Sequence, residues 1–126
     1  MKTIDLSGGL VLVTGGAGAI GSAIAIDAAA AGAAVAVCDS NKQAADTVAA
    51  TIRSQGGVAA AFPIDVRNRD DVIATTDQAV EQLGCLRGVV TAAGILHTGP
   101  LAEQNSSVRD AFTPVSQRLV SGIACF

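Results

Sequence analysis

The chain has 126 residues, half of them hydrophobic, with three Phe and neither Trp nor Tyr. This length suits one small domain. The formal net charge is -3 and no cluster of Lys or Arg occurs, which argues against a nucleic-acid partner. No stretch predicts a membrane span and no secretory signal is visible, so we expect a cytoplasmic protein. Three cysteines without CxxC spacing predict neither a disulfide framework nor a metal site.

The stretch from Leu10 to Gly21 changes from four consecutive apolar residues to a glycine-rich turn and then to a helical pattern. The apolar run predicts a strand buried on both faces, and the glycines let the backbone turn sharply and approach a ligand. A helix beginning near Ile20 directs its free N–H groups and the positive end of its dipole at that ligand. A dinucleotide pyrophosphate fits this description best. The alternative is a glycine-rich loop that only makes a tight turn.

The same glycines satisfy three related patterns. These are GxGxxG from Gly16, GxxGxxG from Gly15, and TGxxx[AG]xG from Thr14 with Ala19 as the penultimate small residue. Each pattern alone has low specificity. The candidate phosphate-binding residues are therefore those of the turn and the first helical positions: Gly15, Gly18, Ala19, Ile20 and Gly21.

Apolar runs and helical patterns alternate along the rest of the chain. Further strands are predicted at Ala34–Cys38, Val58–Phe62 and Leu86–Ala92, and helices at Ile20–Ala31, at Lys42–Arg53 and from Asn68 onward. The apolar faces predicted for the three helices are Ile20, Ala23, Ile24, Ala28 and Ala31; Ala45, Val48, Ala49 and Ile52; and Val72, Ile73, Val80 and Leu83. The alternation predicts an α/β fold with a parallel sheet in the strand order 3-2-1-4, half of a doubly wound sheet.

Asp39 ends the second predicted strand, 18 residues after Gly21. In a dinucleotide-binding fold a carboxylate at this place accepts hydrogen bonds from the adenosine ribose hydroxyls, and its charge repels the 2′-phosphate of NADP. We therefore predict NAD as the preferred cofactor. A second role for Asp39, compatible with the first, is the N-cap of the following helix.

Several of these segments together resemble the N-terminal half of a classical short-chain dehydrogenase/reductase, an enzyme family with a Rossmann-type fold. The segments are Thr14–Gly21, Asp39, Asp65-Val66 and Val89–Ile95, and the resemblance runs from about Leu6 to Gln104. It divides the chain into a dinucleotide-binding half-domain at residues 1–104 and a divergent tail at residues 105–126, which we expect to be an irregular or broken helix.

The resemblance also implies roles for residues outside the glycine-rich turn. Asp65 and Val66 hold the adenine ring, and Ala92, Ala93 and Gly94 line the cofactor. The family usually has Asn-Asn-Ala-Gly where this chain has Thr91-Ala92-Ala93-Gly94. Two amide side chains are thus replaced, and a cofactor contact at Ala92 is restricted to the backbone.

The activity implied is hydride transfer between NAD(P) and an alcohol or carbonyl compound, which in the family depends on a Ser, a Tyr and a Lys four residues after the Tyr. This chain contains no Tyr, and its only lysines are Lys2 and Lys42. We therefore assign no catalytic residue, interpret His97 as a solvated loop residue, and expect the chain alone to be inactive. It would act on a small-molecule substrate only where a catalytic half is supplied.

Two other interpretations stay open. One is a non-catalytic dinucleotide-binding remnant, and the other is the N-terminal part of an extended member of the family, such as a nucleotide-sugar epimerase. In each case the apolar fourth strand would form a sheet edge, through which we expect chains to self-associate.

Overall fold

The computed structural model describes residues 5–92, in which strands and helices alternate. The strands are β1 (Leu10–Thr14), β2 (Ala34–Asp39), β3 (Val58–Pro63) and β4 (Leu86–Thr91), and the helices are α1 (Ala19–Ala30), α2 (Lys42–Ser54) and α3 (Arg69–Leu83). Each element predicted in this part of the chain is confirmed, and the predicted and observed ends differ by at most one residue. Ala93, Gly94, His97 and the tail at residues 105–126 lie outside the described residues.

The four strands form one parallel sheet in the order β3-β2-β1-β4, so the predicted incomplete Rossmann-type fold is confirmed. Side chains alternate between the two faces of the sheet, as the period of two in a strand requires. Leu12, Ala36 and Cys38 lie in the cluster that includes α3, whereas Val13 and Val35 lie in the cluster that includes α1 and α2. Both faces are therefore covered, which explains the continuous apolar runs in β1 and β2.

The apolar face predicted for α1 is wrong at Ile20 and Ala23 and confirmed at Ala28, while Ile24 and Ala31 are half-buried. The buried residues are Gly21, Ala25 and Ala28, whereas Ile20 has 73% of its surface exposed and Ala23 is also exposed. Because α1 is apolar almost all around, the sequence pattern does not single out one face. The orientation of α1 depends instead on the contact between Gly21 and the preceding turn.

The apolar face predicted for α2 is confirmed, since Ala45, Ala49 and Ile52 are buried and Val48 packs against them. The face predicted for α3 is confirmed at Val72, which is buried, and at Val80 and Leu83, which pack against the same cluster. Ile73 is only half-buried and lies outside that cluster, and α3 buries Thr75, Thr76 and Ala79 instead. The hydroxyl of Thr76 donates to the carbonyl of Val72 at 2.7 Å, and that of Thr75 donates to the carbonyl of Pro63 at 3.5 Å. These bonds remove the cost of burying a hydroxyl without a partner.

Asparagine side chains cap two of the three helices. Asn41 accepts a hydrogen bond from the N–H of Ala44 at the start of α2, and Asn68 accepts one from the N–H of Asp71 at the start of α3. Asn68 was predicted to open α3, and this is confirmed. Asp39 is not the N-cap of α2, because Asn41 occupies that position.

In the part of the chain that the structure describes, β3 and β4 are the two edges of the sheet. Self-association through β4 stays a prediction. Within residues 5–92, none of the helices combines the length and the apolar character needed to cross a membrane.

The orientation of α1 can be tested with a matched pair of substitutions. Ala25 is fully buried, so Ala25→Leu forces three extra carbon atoms into a packed layer and should lower the free energy of unfolding by about 1–3 kcal/mol. Ala23→Leu places the same atoms in solvent and should change it by less than about 0.5 kcal/mol. Urea denaturation followed by circular dichroism measures both. Equal losses would contradict the observed orientation.

Candidate functional site

The carboxyl ends of the parallel strands meet at one edge of the sheet. The register places Thr14 beside both Cys38 and Thr91, and Asp39 beside Pro63. The glycine-rich turn follows β1, Asp65 and Val66 follow β3, and Ala92 follows β4. The structure therefore brings the predicted site residues within the described part of the chain to the same edge, which is where open α/β sheets bind ligands.

Backbone hydrogen bonds hold the turn between β1 and α1 at two of its residues, Gly16 and Gly18. Gly15 has a φ of 69°, a conformation that side chains strongly disfavour. The N–H of Gly16 donates to the carbonyl of Cys38 at 3.0 Å and thereby continues the ladder between β1 and β2. The N–H of Gly18 donates to the carbonyl of Gly15 at 3.1 Å. The chain reverses within four residues as a result.

Gly21 lets α1 lie directly against this turn. A Cβ atom at Gly21 would overlap the carbonyl oxygen of Gly15 and lie 2.8 Å from its carbonyl carbon. By contrast, a Cβ atom at Gly18 would meet only the oxygen of Gly15, at an ordinary contact distance of 3.4 Å. Gly21 is therefore required by packing within the protein, whereas the position of Gly18 has room for a Cβ atom.

The start of α1 differs from the starts of α2 and α3. Its N-cap is Gly18, which has no side chain to accept a hydrogen bond, whereas α2 and α3 begin with Asn caps. Ser22 is the first residue whose N–H donates back within the helix, to the carbonyl of Gly18 at 2.9 Å. The N–H groups of Ala19, Ile20 and Gly21 precede it and have no intrahelical acceptor. An uncapped helix start beside a glycine turn is suited to bind an anion.

Asp39 lies at the end of β2 and bridges two backbone N–H groups. One carboxylate oxygen, Oδ2, accepts from the N–H of Ala17 at 3.0 Å, and the other, Oδ1, accepts from the N–H of Asn41 at 3.0 Å. The side chain is half-buried beside the glycine-rich turn. Sequence reasoning did not find Ala17, because its contact is made by the backbone and leaves no signal in the residue type.

Two acidic residues, Asp65 and Asp71, fix the loop after β3. The carboxylate of Asp71 accepts from the N–H of Asp65 at 2.7 Å. The carboxylate of Asp65 accepts from the N–H and the Nε of Arg67, at 3.0 and 3.2 Å, and both bonds go to Oδ1. These bonds hold the pKa of Asp65 below its ordinary range. Val66 is half-buried and packs against the core cluster that includes α3.

Ala92 continues the sheet beyond β4. Its N–H donates to the carbonyl of Thr14 at 2.9 Å, and the hydroxyl of Thr14 donates to the carbonyl of Val90 at 3.5 Å. The amide of Ala92 is thus committed to the sheet, which leaves its carbonyl oxygen as the polar group that a ligand can contact.

Cys38 lies one residue before Asp39, with its side chain on the face of the sheet that packs against α3. Burial of the thiol, and to a lesser extent the charge of Asp39, raises the pKa of Cys38 to about 12. The thiol therefore stays protonated at neutral pH and acts as a small apolar side chain. No group of His, Cys, Asp and Glu residues suited to a metal ion occurs among the residues that the structure describes.

The described sheet is half of a doubly wound sheet, α1 starts without a side-chain cap after a glycine-rich turn, and β2 ends in an acidic residue. Together these features define a dinucleotide-binding fold. A short chain dehydrogenase model matches residues 9–118, and the chain belongs to this family of NAD(P)-dependent oxidoreductases. The match continues beyond Gln104, where the resemblance read from the sequence ends.

Individual proteins similar to this chain are also dehydrogenases or short-chain dehydrogenase/reductases. A 2,5-dichloro-2,5-cyclohexadiene-1,4-diol dehydrogenase of Sphingobium indicum is 42% identical over 100 residues, which are 79% of this chain and 39% of the relative. A hydroxysteroid dehydrogenase from Escherichia coli has a similar structure, with a TM-score of 0.81 and 31% identity over 94% of this chain and 53% of its own. A short-chain dehydrogenase/reductase mutant from Serratia marcescens gives a TM-score of 0.83 and 28% identity, covering 93% of this chain and 51% of its own. The chain therefore spans between 39% and 53% of the length of these proteins.

The different roles of the two glycines can be tested by the same substitution at each. Gly21→Ala should lower the free energy of unfolding by about 1–3 kcal/mol, because the added methyl group overlaps the Gly15 carbonyl and pushes α1 away from the turn. Gly18→Ala should cost less than about 1 kcal/mol, because its backbone conformation suits alanine. Thermal denaturation compares the two variants. A larger loss for Gly18→Ala would show that the packing is assigned to the wrong glycine.

The buried thiol predicts how stability depends on alkaline pH. The folded state binds the Cys38 proton more tightly than the unfolded state. The contribution of this thiol to the free energy of unfolding is therefore fully present below its ordinary pKa of 9.0 and is lost as pH rises toward about 12. The chain has no Tyr to obscure this effect. Urea denaturation between pH 8 and 10.5 should show a steeper decline for the wild type than for Cys38→Ala. Substitution of the half-buried Cys85 by Ala serves as the control and should leave the decline in place.

Proposed function

We propose that this chain supplies the cofactor-binding half of an oxidoreductase that transfers hydride between NAD and an alcohol or carbonyl compound. The observation that carries the proposal is the start of α1, where a glycine-rich turn faces N–H groups that no protein side chain caps. The two other described helices both have Asn caps, so the missing cap at Gly18 leaves room for an anionic ligand.

The described residues fit a dinucleotide along the carboxyl edge of the sheet. In this proposal the pyrophosphate binds to the turn from Gly15 to Gly18 and to the N–H groups of Ala19, Ile20 and Gly21. Asp39 accepts from the adenosine ribose hydroxyls, while Asp65 and Val66 bind the adenine ring. Since Arg67 uses only Oδ1 of Asp65, Oδ2 remains available to accept from the adenine amino group. Ala92 contributes its carbonyl oxygen, and the roles proposed for Ala93 and Gly94, which lie outside the described residues, rest on the family resemblance alone.

NAD is the proposed cofactor rather than NADP because of the charges around Asp39. Within residues 5–92, no Lys or Arg forms an ion pair with Asp39. The cation nearest to it in sequence, Lys42, binds Asp46 at 2.9 Å instead. A 2′-phosphate would therefore meet the Asp39 carboxylate without a neighbouring positive charge to offset the repulsion.

The bound nicotinamide would accept or donate the hydride, while this half of the protein binds and orients the cofactor. The relatives support this division, because a protein named for a chlorinated diol matches 79% of this chain and one named for hydroxysteroids matches 94% of it. A segment shared by enzymes with different named substrates suits a common cofactor better than a particular substrate. We therefore propose that the isolated chain binds the dinucleotide without turnover.

The proposal is tested by titrating the purified chain with NADH and NADPH and following nicotinamide fluorescence. We expect saturable binding with a preference of at least about tenfold for NADH, corresponding to about 1.4 kcal/mol. A folded chain that binds neither cofactor would contradict the proposal. Turnover of an alcohol or ketone by the isolated chain would contradict the part of it that places the catalytic residues elsewhere.

A charge introduced at the start of α1 tests the pyrophosphate site directly. Ala19 is exposed, and Ala19→Glu places a carboxylate beside the free N–H groups, where it stabilises the helix and repels an anion. We expect NADH affinity to fall about tenfold, with an unchanged or higher melting temperature. Ala19→Gln has nearly the same size without the charge and is the matched control. If the two variants bind NADH equally well, the pyrophosphate does not lie at this helix start.

A further inference from the structure

We propose that Asp39 is also a positioning residue, which holds the glycine-rich turn in its binding conformation before the cofactor arrives. This inference deepens the proposed function and rests on it for its consequence in cofactor selectivity. It assigns to one carboxylate both the recognition of the ribose and the placement of the turn that receives the pyrophosphate.

The hydrogen bonds of the turn show why Asp39 is needed. The N–H groups of Gly16 and Gly18 donate to backbone carbonyls, those of Cys38 and Gly15. The N–H of Ala17, between them, donates to the Asp39 carboxylate at 3.0 Å. Ala17 is thus joined to β2 by a side chain, and its anchor changes when that side chain is replaced.

A carboxylate suits this position because two donors face it. The N–H groups of Ala17 and Asn41 each approach a different oxygen of Asp39, both at 3.0 Å. Asn in place of Asp39 would offer one oxygen and turn its NH2 group toward the second donor, and Ser would offer a single shorter acceptor. Of these three residue types, Asp alone can join the turn before α1 to the residue that caps α2.

The two bonds leave Asp39 able to bind the ribose as well. A carboxylate has about four lone-pair positions, and the two backbone N–H groups use two of them. The remaining two match the two hydroxyl groups of an adenosine ribose. Replacing Asp39 therefore removes the repulsion toward a 2′-phosphate and also releases the turn that holds the pyrophosphate. We expect such a replacement to weaken the binding of both cofactors rather than to exchange one for the other.

Hydrogen exchange of the backbone amides, measured by NMR without cofactor, tests the positioning role. In the wild type the amides of Gly16 and Ala17 should both be protected. In Asp39→Ser the amide of Ala17 should exchange roughly tenfold faster, because a hydrogen bond to a charged group is lost. The Gly16 amide should stay protected, since its acceptor is the Cys38 carbonyl. Asp46→Asn, which removes the same charge from the exposed side of α2, should change neither amide.

Two results would overturn the inference. One is an unprotected Ala17 amide in the wild type while Gly16 is protected, which decides the matter even where an Asp39 variant does not fold. The other is an Ala17 amide that keeps its protection in a folded Asp39→Ser variant. Because this measurement uses no cofactor, it is interpretable even if the wild-type chain binds no dinucleotide.

The affinities of an Asp39 variant for NADH and NADPH distinguish a positioning role of Asp39 from a purely electrostatic one. For Asp39→Ser we expect NADH affinity to fall at least about tenfold and NADPH affinity to stay below that of the wild type for NADH. A folded Asp39→Ser variant that binds NADPH as tightly as the wild type binds NADH would show that Asp39 only repels the 2′-phosphate, and would overturn the inference.

Discussion

The close approach of Gly21 to the carbonyl group of Gly15 is the contact on which the rest of this site depends. It presses the first turn of α1 against the end of β1, which directs the N–H groups of that turn toward the glycine-rich loop. It also fixes which side of α1 faces the sheet, so that Ala25 and Ala28 are buried and Ile20 is exposed. A single missing side chain therefore determines the orientation of the helix and of its dipole together.

The glycine-rich turn is itself bonded to the neighbouring strand β2, so the candidate site extends the sheet. Gly16 donates to the carbonyl of Cys38, and Ala17 donates to the side chain of Asp39, one residue further along β2. The loop after β3 uses the same kind of bond, from the N–H of Asp65 to the carboxylate of Asp71. At both places an acidic side chain accepts from a backbone amide that the strands no longer pair. The carboxylates thus shape the loops before they meet any ligand.

This arrangement suits the family to which the chain belongs. Its members include proteins named for unrelated substrates, and the part that they share with this chain is a rigid parallel sheet with shaped loops at its carboxyl edge. We propose that this part binds the cofactor, while chemistry and substrate choice vary elsewhere. The buried and protonated thiol of Cys38, directly under the site, is consistent with a role in packing rather than reactivity.

Local patterns in the sequence determined the order of the elements, the parallel sheet and its strand order, because apolar runs, glycines and Asn caps act over a few residues. They also identified Gly15, Gly21 and Asp39 as residues that lie together. The tertiary structure alone decided which side of α1 is buried, since an alanine-rich helix has no distinct polar face and its orientation is set by the Gly21 contact. It also decided that Asp39 binds Ala17 and that Arg67 and Asp71 hold the loop of Asp65. The bond to Ala17 involves a backbone group, so the residue type carries no signal, and it forms only because β1 and β2 lie side by side.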